Sequence, residues 1–431
     1  MRGILTAFEA VGGVLMWRAG YRLLLWFAFP LVLARLWWRG RHEPGYRRNV
    51  AERFGFYTKR PEKPVIWLHA VSVGETRAAE PLLRALRSRN PGCDLLVTQM
   101  TATGREAAQQ LFGGTVLVAW LPYDYPSAVR RFLRSFRPRL GILMETEIWF
   151  HLVGECKHSG VPLLLANARM SAKSARGYAA VAPLVRVALG GLSAVAAQTT
   201  EDAERLRSLG AREVEVTGNL KFDADLASRS ESLAAQFRHR FGNRTVLLAA
   251  STREGEEELL LDALEQNALD DALLVIVPRH PQRFDSVAQL LASRGLKFVR
   301  RSTNAPLDAD CGIMLGDSMG EMAAYYRACD LAFVGGSLLA YGGQNLIEAC
   351  AAGVPVLIGP YTYNFAQAAE SAVAAGAAVR VNTAEEVIRV ARSILQNIGL
   401  RERMGKAGVA FCAAHRGATE RTLAICERLL G

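Results

Sequence analysis

After Tyr57 the chain alternates short apolar runs with longer stretches in which apolar residues recur every three or four positions. The short runs are rich in valine, isoleucine and leucine, as buried parallel strands are, and the longer stretches predict amphipathic helices. Regular alternation of the two predicts an α/β fold. The strands predicted in the first half are Val65 to Leu68, Leu95 to Thr98, Val116 to Trp120, Leu140 to Met144, Pro162 to Ala166 and Ala194 to Ala197.

The alternation lapses between Val216 and Ser228 and then starts again, which divides the chain into two halves. We therefore predict two doubly wound domains, residues 46–220 and 221–431, with the last helix able to pack back on the first domain. Neither domain opens with the GxGxxG fingerprint, which weighs against a nicotinamide or flavin enzyme. The strands predicted in the second half are Val246 to Ala250, Leu273 to Val277, Lys297 to Val299, Ile313 to Leu315, Leu331 to Val334, Val354 to Ile358 and Ala378 to Val381.

Residues 1–45 form a different kind of segment, with twelve uninterrupted apolar residues from Leu23 to Ala34. Arginines flank this run on both sides, Arg18 among them, and two tryptophans follow it. A transmembrane helix needs about 20 apolar residues, and Pro30 interrupts the run, so an interfacial helix fits at least as well as a short membrane anchor. No small-residue cleavage site follows, which disfavours a removable signal peptide. The competing interpretation is a buried core helix.

Composition and charge narrow the class of protein. Half of the 431 residues are hydrophobic and 22% are charged, which excludes a disordered chain and a polytopic membrane protein. The net charge of +11 suggests anionic partners such as nucleic acid, acidic lipid or a phosphate-bearing substrate. The seven cysteines show no CxxC spacing, so the sequence predicts neither a disulfide framework nor a zinc site.

Loops that directly follow strands are where an open parallel sheet binds its ligands. The first such loop, His69 to Glu75, reads HAVSVGE. Glu75 can complement the dipole of the helix that it opens, or it can act as a general base, with His69 as the second choice for that role. The loop Met100 to Gly104 can contact an anion or a sugar, or it can cap a helix.

Three more loops carry functional groups. Glu145 and Glu147 follow a buried run two residues apart, where one can be functional and the other can cap a helix. Arg279 follows the strand LLVIV and Pro278, and it can clamp a phosphate or form a surface ion pair. The glycine-rich loop from Gly335 leads to Asn345 and Glu348, one helical turn apart. A helix amino terminus there can hold a nucleotide phosphate and Glu348 can accept from ribose hydroxyls, or the glycines can serve only a tight turn.

The order of these motifs resembles that of the 3-deoxy-D-manno-octulosonate (Kdo) transferases of lipopolysaccharide synthesis. The resemblance covers nearly the whole chain and includes the segment PGYRRNVAERFGFY after the hydrophobic leader. The resemblance implies a GT-B fold, in which two Rossmann-like domains face a cleft, the first binding the acceptor and the second CMP-Kdo. The motifs that carry it are HAVSVGE, MTATG, ETEIW, NARMS, GNLK, PRHP, GDSMGE, GGQNLIEA and GPYTYNF.

The resemblance also implies roles for particular residues. Glu75 corresponds to the catalytic base, and Glu145 and Lys221 to groups that stabilise the transition state, with Glu147 as the alternative to Glu145. The implied CMP contacts are Pro278, Arg279, Met319, Gly320, Glu321, Asn345 and Glu348. Neither a cofactor nor a metal ion is implied, because Lys221, Arg279 and helix amides can supply the positive charge.

The expected reaction is transfer of Kdo from CMP-Kdo to a phosphate-bearing lipid A precursor, lipid IVA, with inversion of the anomeric centre. Such an acceptor accounts for an anchor, a basic surface and a location at the cytoplasmic side of the inner membrane, single-pass or monotopic. The alternative is another GT-B enzyme, a transferase or epimerase that uses a UDP-sugar. A nucleic-acid-binding protein is disfavoured, because no zinc motif or RNA-recognition motif accompanies the positive charge.

Overall fold

The computed structural model describes residues 2–224 and 230–431, and the chain divides into two units. Unit 1 is Met1–Ala224 together with Arg416–Gly431, and unit 2 is Asp225–His415. The predicted boundary, between residues 220 and 221, lies four residues before this division, so Lys221 belongs to unit 1 and not to the second domain. The side chain of Arg18 and residues 225–229 of the predicted linker lie outside the described part of the chain.

Unit 1 is built on a parallel sheet of seven strands in the order β3-β2-β1-β4-β5-β6-β7. Its strands are β1 Val65–His69, β2 Asp94–Gln99, β3 Leu117–Trp120, β4 Pro138–Met144, β5 Leu163–Ala168, β6 Ala194–Ala197 and β7 Val214–Val216. Its helices up to residue 224 are α1 Arg2–His42, α2 Val73–Arg89, α3 Ala102–Phe112, α4 Pro126–Phe136, α5 Phe150–His158, α6 Ala172–Ala179, α7 Ala182–Leu189 and α8 Thr200–Ser208, with short 3-10 helices at Pro44–Arg47, Val50–Phe54 and Leu220–Asp223.

Both faces of this sheet are covered, which explains why its central strands are apolar throughout. Along β1, Val65 and Trp67 point into one hydrophobic cluster, while Ile66 and Leu68 point into the cluster on the opposite face. Helix α2 covers the second face with four apolar side chains that are fully or almost fully buried: Ala79, Leu82, Leu83 and Leu86.

Unit 2 repeats the architecture with a parallel sheet in the order β10-β11-β9-β8-β12-β13-β14. Its strands are β8 Val246–Thr252, β9 Leu273–Pro278, β10 Phe298–Arg300, β11 Ile313–Leu315, β12 Leu331–Val334, β13 Val356–Ile358 and β14 Ala378–Arg380. Its helices are α9 Glu231–Phe241, α10 Glu256–Gln266, α11 Phe284–Ser293, α12 Met322–Ala328, α13 Ile347–Ala351, α14 Ala366–Ala374, α15 Ala384–Leu395 and α16 Ile398–Ala414, with a 3-10 helix at Pro281–Arg283.

The last helix, α17 (Ala418–Leu430), belongs to unit 1 and packs against α2. Its start is fixed by Asp223, whose carboxylate accepts from the backbone N–H of Gly417 at 2.8 Å and of Thr419 at 2.6 Å. Leu423 of α17 lies in the same hydrophobic cluster as Leu86 of α2. Helix α17 therefore completes the core of unit 1 after the chain has formed unit 2.

Helix α1 presents two different apolar faces. On the inner face the hydroxyl of Tyr21 donates to Asp124 at 2.9 Å, and the ring of Phe29 lies 6.0 Å from that of Phe54. On the outer face Trp26 and Phe27 are 77% and 78% exposed. The part of α1 from Ala19 to His42 is the single described stretch that is long and apolar enough to cross a membrane. An ordinary buried core helix, the competing prediction, would not leave these side chains open to solvent.

Candidate active site

The strand order of unit 1 reverses between β1 and β4, which run side by side. In doubly wound sheets the crevice at this point, beyond the carboxyl ends of the strands, is where ligands bind. The loop after β1 carries Glu75, and the loop after β4 carries Glu145 and Glu147. The structure thus brings three predicted carboxylates to the binding edge of one sheet.

Glu75 is held at both of its carboxylate oxygens. The backbone N–H of Val71 donates to Oε2 at 2.7 Å and the hydroxyl of Ser72 to Oε1 at 3.0 Å. Ser72 is also the N-cap of α2 and accepts from the N–H of Glu75. Glu75 therefore lies in the first turn of α2, where its charge complements the helix dipole, as the alternative interpretation had it. The same side chain is mostly buried, which raises its pKa to about 7, and the charges of Glu145 and Glu147 add to that rise.

The loop Met100 to Gly104 supports the loop that carries Glu75. Thr101 is the N-cap of α3, accepting from Gly104, and its hydroxyl donates to the carbonyl of Val71 at 2.8 Å. A Cβ at Gly104 would lie 2.4 Å from Oε1 of Gln99 and 2.8 Å from Oγ1 of Thr101, so a larger residue would displace the capping hydroxyl. The capping interpretation of this motif is the one that the structure shows, and Val71 in turn binds Glu75.

His69, the second choice for a base, is completely buried at the end of β1. Its Nδ1 lies 3.0 Å from the carbonyl oxygen and from the hydroxyl of Thr98. Burial lowers its pKa to about 4. A ring without solvent access has no route to an acceptor hydroxyl, so this choice was wrong.

Lys221 and Glu145 form an ion pair with 2.9 Å between Nζ and Oε1. Glu145 has a positive φ of 60°, and its backbone N–H donates to the carbonyl of Ala166 on β5. Lys221 is placed by two asparagines: Asn219 accepts from its N–H, and Asn167 accepts from the N–H of Leu220. Three predicted motifs, ETEIW, NARMS and GNLK, therefore meet at one place in unit 1.

Glu147 has a different partner, because its Oε2 accepts from the indole N–H of Trp149 at 2.8 Å. Burial raises the pKa of Glu147, and the charge of Glu145 adds to the effect. The pairing with Lys221 favours Glu145 over Glu147 as the functional member of the doublet.

In unit 2, Arg279 follows Pro278, the last residue of β9. Its backbone N–H donates to the carbonyl of Thr252, and its Nε donates to Oε1 of Gln344 at 3.1 Å. Gln344 belongs to the glycine-rich loop, so two motifs that are 65 residues apart lie in contact. The guanidinium of Arg279 therefore faces the glycine-rich loop.

The other residues predicted to contact the nucleotide lie in two segments. Met319, Gly320 and Glu321 follow β11, and Asn345 and Glu348 follow β12. Met319 is 58% exposed, and Gly320 has a φ of +83°. Glu321 accepts from Arg301 at 3.2 Å and from the hydroxyl of Ser318. The side-chain amide of Asn345 donates to Glu348 at 3.0 Å, which keeps that half-buried carboxylate in place.

Several amides of the glycine-rich loop and of the turn after it already have acceptors within the protein. The buried carboxylate of Glu256 accepts from the N–H groups of Gly336, Ser337 and Leu338 at 2.6, 3.0 and 3.0 Å. Helix α13 is only five residues long, and the N–H of Ile347 donates to Asn345. These contacts occupy the amides of residues 336–338 and of Ile347, so a phosphate held by helix amides in this loop stays a prediction for the other amides.

No role was predicted for the segment from Thr252, at the end of β8, to Glu257, at the start of α10, although this segment contacts both Arg279 and the glycine-rich loop. The signal that could have found it is positional, since β8 opens the second half and the first strand of a doubly wound sheet borders the binding crevice. Across residues 2–224 and 230–431 no group of three or more His, Cys, Asp or Glu side chains is placed to hold a metal ion.

Comparison with known proteins identifies both halves. Residues 48–224 match the family model of 3-deoxy-D-manno-octulosonic-acid transferase (kdotransferase), and residues 247–410 match glycosyl transferases group 1. The chain is 44% identical to a 3-deoxy-D-manno-octulosonic acid transferase of Bordetella pertussis, over 96% of this chain and 100% of that one. It is 37% identical to a transferase of the same name from Haemophilus influenzae, over 96% and 99% of the two chains.

The fold also has solved relatives. A UDP-GlcNAc 2-epimerase of Neisseria meningitidis, solved with UDP-GlcNAc, matches with a TM-score of 0.60 at 16% identity over 85% of this chain and 100% of that one. A likeness at this identity concerns the fold alone. With the two parallel seven-stranded sheets and the apolar amino-terminal helix, it confirms the predicted GT-B class.

Proposed function

The chain belongs to the 3-deoxy-D-manno-octulosonic acid (Kdo) transferase family, and we propose that it moves Kdo from CMP-Kdo to a lipid A precursor with inversion at the anomeric carbon. The observation that carries this proposal is the state of Glu75. A carboxylate held at both oxygens, with a pKa raised to about 7, is a stronger base than a solvated one and still ionises near neutral pH.

Glu75 acts as the general base in this proposal. As the acceptor hydroxyl attacks C2 of Kdo, the new C2–O bond forms, the C2–O bond to phosphate breaks and CMP leaves with the electron pair. The hydroxyl proton passes to the carboxylate of Glu75. One displacement of this kind inverts the anomeric centre.

Lys221 supplies positive charge in the same unit. Its ammonium group lies against Glu145, which fixes the position of a long and flexible side chain. A cation fixed in advance stabilises charge that develops in the transition state without having to reorganise. Lys221 and Glu145 are proposed as the stabilising pair, with Glu145 orienting the ammonium.

The proposed donor site lies in unit 2. Arg279 binds the phosphate, and Glu348, held by Asn345, accepts hydrogen bonds from the ribose hydroxyls. Pro278, Met319, Gly320 and Glu321 complete the contacts to CMP. Because Lys221 and Arg279 provide cations, we expect transfer without a metal ion, and an excess of a chelator should leave the rate unchanged.

Helix α1 is proposed to hold the enzyme at the cytoplasmic face of the inner membrane. Tyr21 and Phe29 both pack on unit 1, so about 12 Å of α1 runs along the folded unit. A helix attached along its length in this way favours interfacial binding through the outer face, with Trp26 and Phe27 in the lipid. The acceptor, an amphiphile, would be reached at the same surface.

The test is direct transfer by the purified protein. Incubation with CMP-Kdo and lipid IVA should give a product heavier by one or more Kdo residues in mass spectrometry, and CMP-Kdo should not be replaceable by a UDP-sugar. CMP at 100 times its Kd should stabilise the protein by about 2.7 kcal/mol. The alternative UDP-sugar enzyme would instead show stabilisation by UDP and none by CMP.

A further inference from the structure

The strand order of unit 2 reverses between β8 and β12, which are neighbours in the sheet. The loops after these two strands therefore flank the crevice where a doubly wound sheet binds its ligand. Arg253 is the first residue after β8. None of the roles described above involves it.

Three contacts hold Arg253 at this crevice. Its backbone N–H donates to Glu256 at 2.8 Å, and its guanidinium lies over the ring of Tyr341 with 4.4 Å to the centroid. Gly336, with a φ of +68°, leaves space for the side chain: a Cβ there would lie 3.3 Å from Cγ of Arg253 and 3.1 Å from Gln344. The glycine loop thus brings Arg253 beside Gln344, the residue that binds Arg279.

The two carboxylates at the start of α10, close to Arg253, have other partners. Glu256 accepts from backbone N–H groups, and Glu257 pairs with Arg283 at 2.7 Å and accepts from the hydroxyl of Thr252. Among the residues that the structure describes, Arg253 forms no ion pair with a carboxylate. Burial lowers the pKa of His280, and Arg279, Arg253 and Arg283 lower it further. The guanidinium groups of Arg253 and Arg279 therefore both lie close enough to His280 to act on its charge.

We propose that Arg253 binds the carboxylate of the donor sugar, next to the phosphate on Arg279. This inference rests on the proposed function, and it adds the group that recognises the sugar. In CMP-Kdo the anomeric carbon bears both the phosphate oxygen and the sugar carboxylate, so the donor presents two anions on a single carbon. Two guanidinium groups at one crevice match that pair. A donor without the carboxylate leaves Arg253 unpaired, which selects against neutral sugars.

The experiment compares Arg253→Gln and Arg253→Lys with Arg327→Gln, a matched control at an exposed arginine of α12. We expect Arg253→Gln to raise KM for CMP-Kdo about 10- to 100-fold while the Kd for CMP changes less than about 2-fold. Arg253→Lys should recover part of the loss, because it keeps the charge and loses the planar fork. Thermal unfolding of each variant checks the fold.

A second measurement needs only the unaltered enzyme and Arg253→Gln. The methyl ester of the CMP-Kdo carboxylate should be a poorer competitor than CMP-Kdo for the unaltered enzyme, and the difference should disappear in Arg253→Gln. Equal losses of CMP and CMP-Kdo affinity, or an ester that competes as well as CMP-Kdo for the unaltered enzyme, would overturn the inference. An unaltered enzyme that neither binds CMP nor transfers Kdo would instead refute the proposed function.

Discussion

Lys221 and Glu145 are 76 residues apart in the sequence, yet Nζ and Oε1 of these two residues are separated by 2.9 Å. Each side chain is about four-fifths buried, with 19% and 21% exposure. An ion pair in such a place is sensitive to loss of one partner, because the other charge is then left poorly solvated.

Replacement of Lys221 by Met should lower kcat about 10²- to 10³-fold, because it removes a fixed cation that stabilises transition-state charge. Lys221→Arg should keep more of the activity. The double variant Glu145→Gln/Lys221→Met should lose less than the product of the two single losses, measured as initial rates of Kdo transfer. Strictly multiplicative losses would mean that the two residues act independently.

Replacement of Glu75 by Gln should lower kcat about 10²- to 10⁴-fold, because the amide cannot accept the hydroxyl proton. The amide retains an oxygen for the N–H of Val71, so the loop should keep its conformation, and Kd for CMP should be unchanged by calorimetry. Glu201→Gln, at an exposed first-turn glutamate of α8, is the control. Loss of CMP binding together with activity would assign Glu75 a structural role.

The rate of transfer should depend on the protonation of Glu75. The base must be ionised, so kcat/KM should rise with pH and level off above about pH 7, where the carboxyl of the free enzyme titrates. Glu147→Gln removes one of the charges that raise this pKa and should move the rise to lower pH. If the residual activity of Glu75→Gln shows the same rise, the titrating group is another residue.

The ionised carboxylate of Glu75 should also lower the free energy of unfolding as the pH rises. The folded-state pKa of Glu75 is raised from 4.5 to about 7, so the folded protein loses stability relative to the unfolded chain as pH rises through this interval. At pH 8 the free energy of unfolding of Glu75→Gln should therefore exceed that of the unaltered protein by about 2 to 4 kcal/mol. The variant should accordingly unfold at a higher temperature. The difference should shrink toward pH 4.5, and a gap that is constant with pH would contradict the titration.

Membrane binding should depend on the outer face of α1. Phe27→Glu should weaken co-sedimentation with anionic vesicles at least tenfold, because it removes a large apolar side chain from the lipid and adds a negative charge. Ile398→Glu, at an exposed apolar residue of unit 2, should leave vesicle binding unchanged. Equal effects of the two changes would place the contact with lipid elsewhere.

Most of the fold was readable from local pattern, and the exceptions have physical reasons. Among the described residues, β7 is the one strand that the sequence did not predict. It is three residues long and only Val214 is buried, so it has no apolar run that could be recognised. β13 begins at Val356 and not at the predicted Val354, after Pro355, whose nitrogen cannot donate to a ladder.

Only part of the candidate site could be predicted from the sequence, because hydrogen bonds between residues far apart in the chain position its side chains. Lys221 was assigned to the second domain. The motif GNLK does not indicate that the backbone N–H of Leu220 donates to Asn167, which lies 53 residues earlier in unit 1. Nothing in the sequence around Glu256 indicates that its carboxylate binds amides 80 to 82 residues further along. A charge that complements the helix dipole and a general base were alternative roles for Glu75 in the sequence. In the structure the two are compatible, because Glu75 lies in the first turn of α2 and burial raises its pKa to about 7.

The return of the chain to unit 1 affects how the protein is made. Until α17 leaves the ribosome, the part of α2 around Leu86 lacks the apolar side chains of α17, such as Leu423, and the capping carboxylate of Asp223 has no helix to bind. About 190 residues of unit 2 are translated in between and can fold first, at a synthesis rate of about 5 to 20 residues per second. For roughly 10 to 40 seconds the nascent chain therefore exposes an unfinished core, which is the interval in which a holding chaperone would bind it.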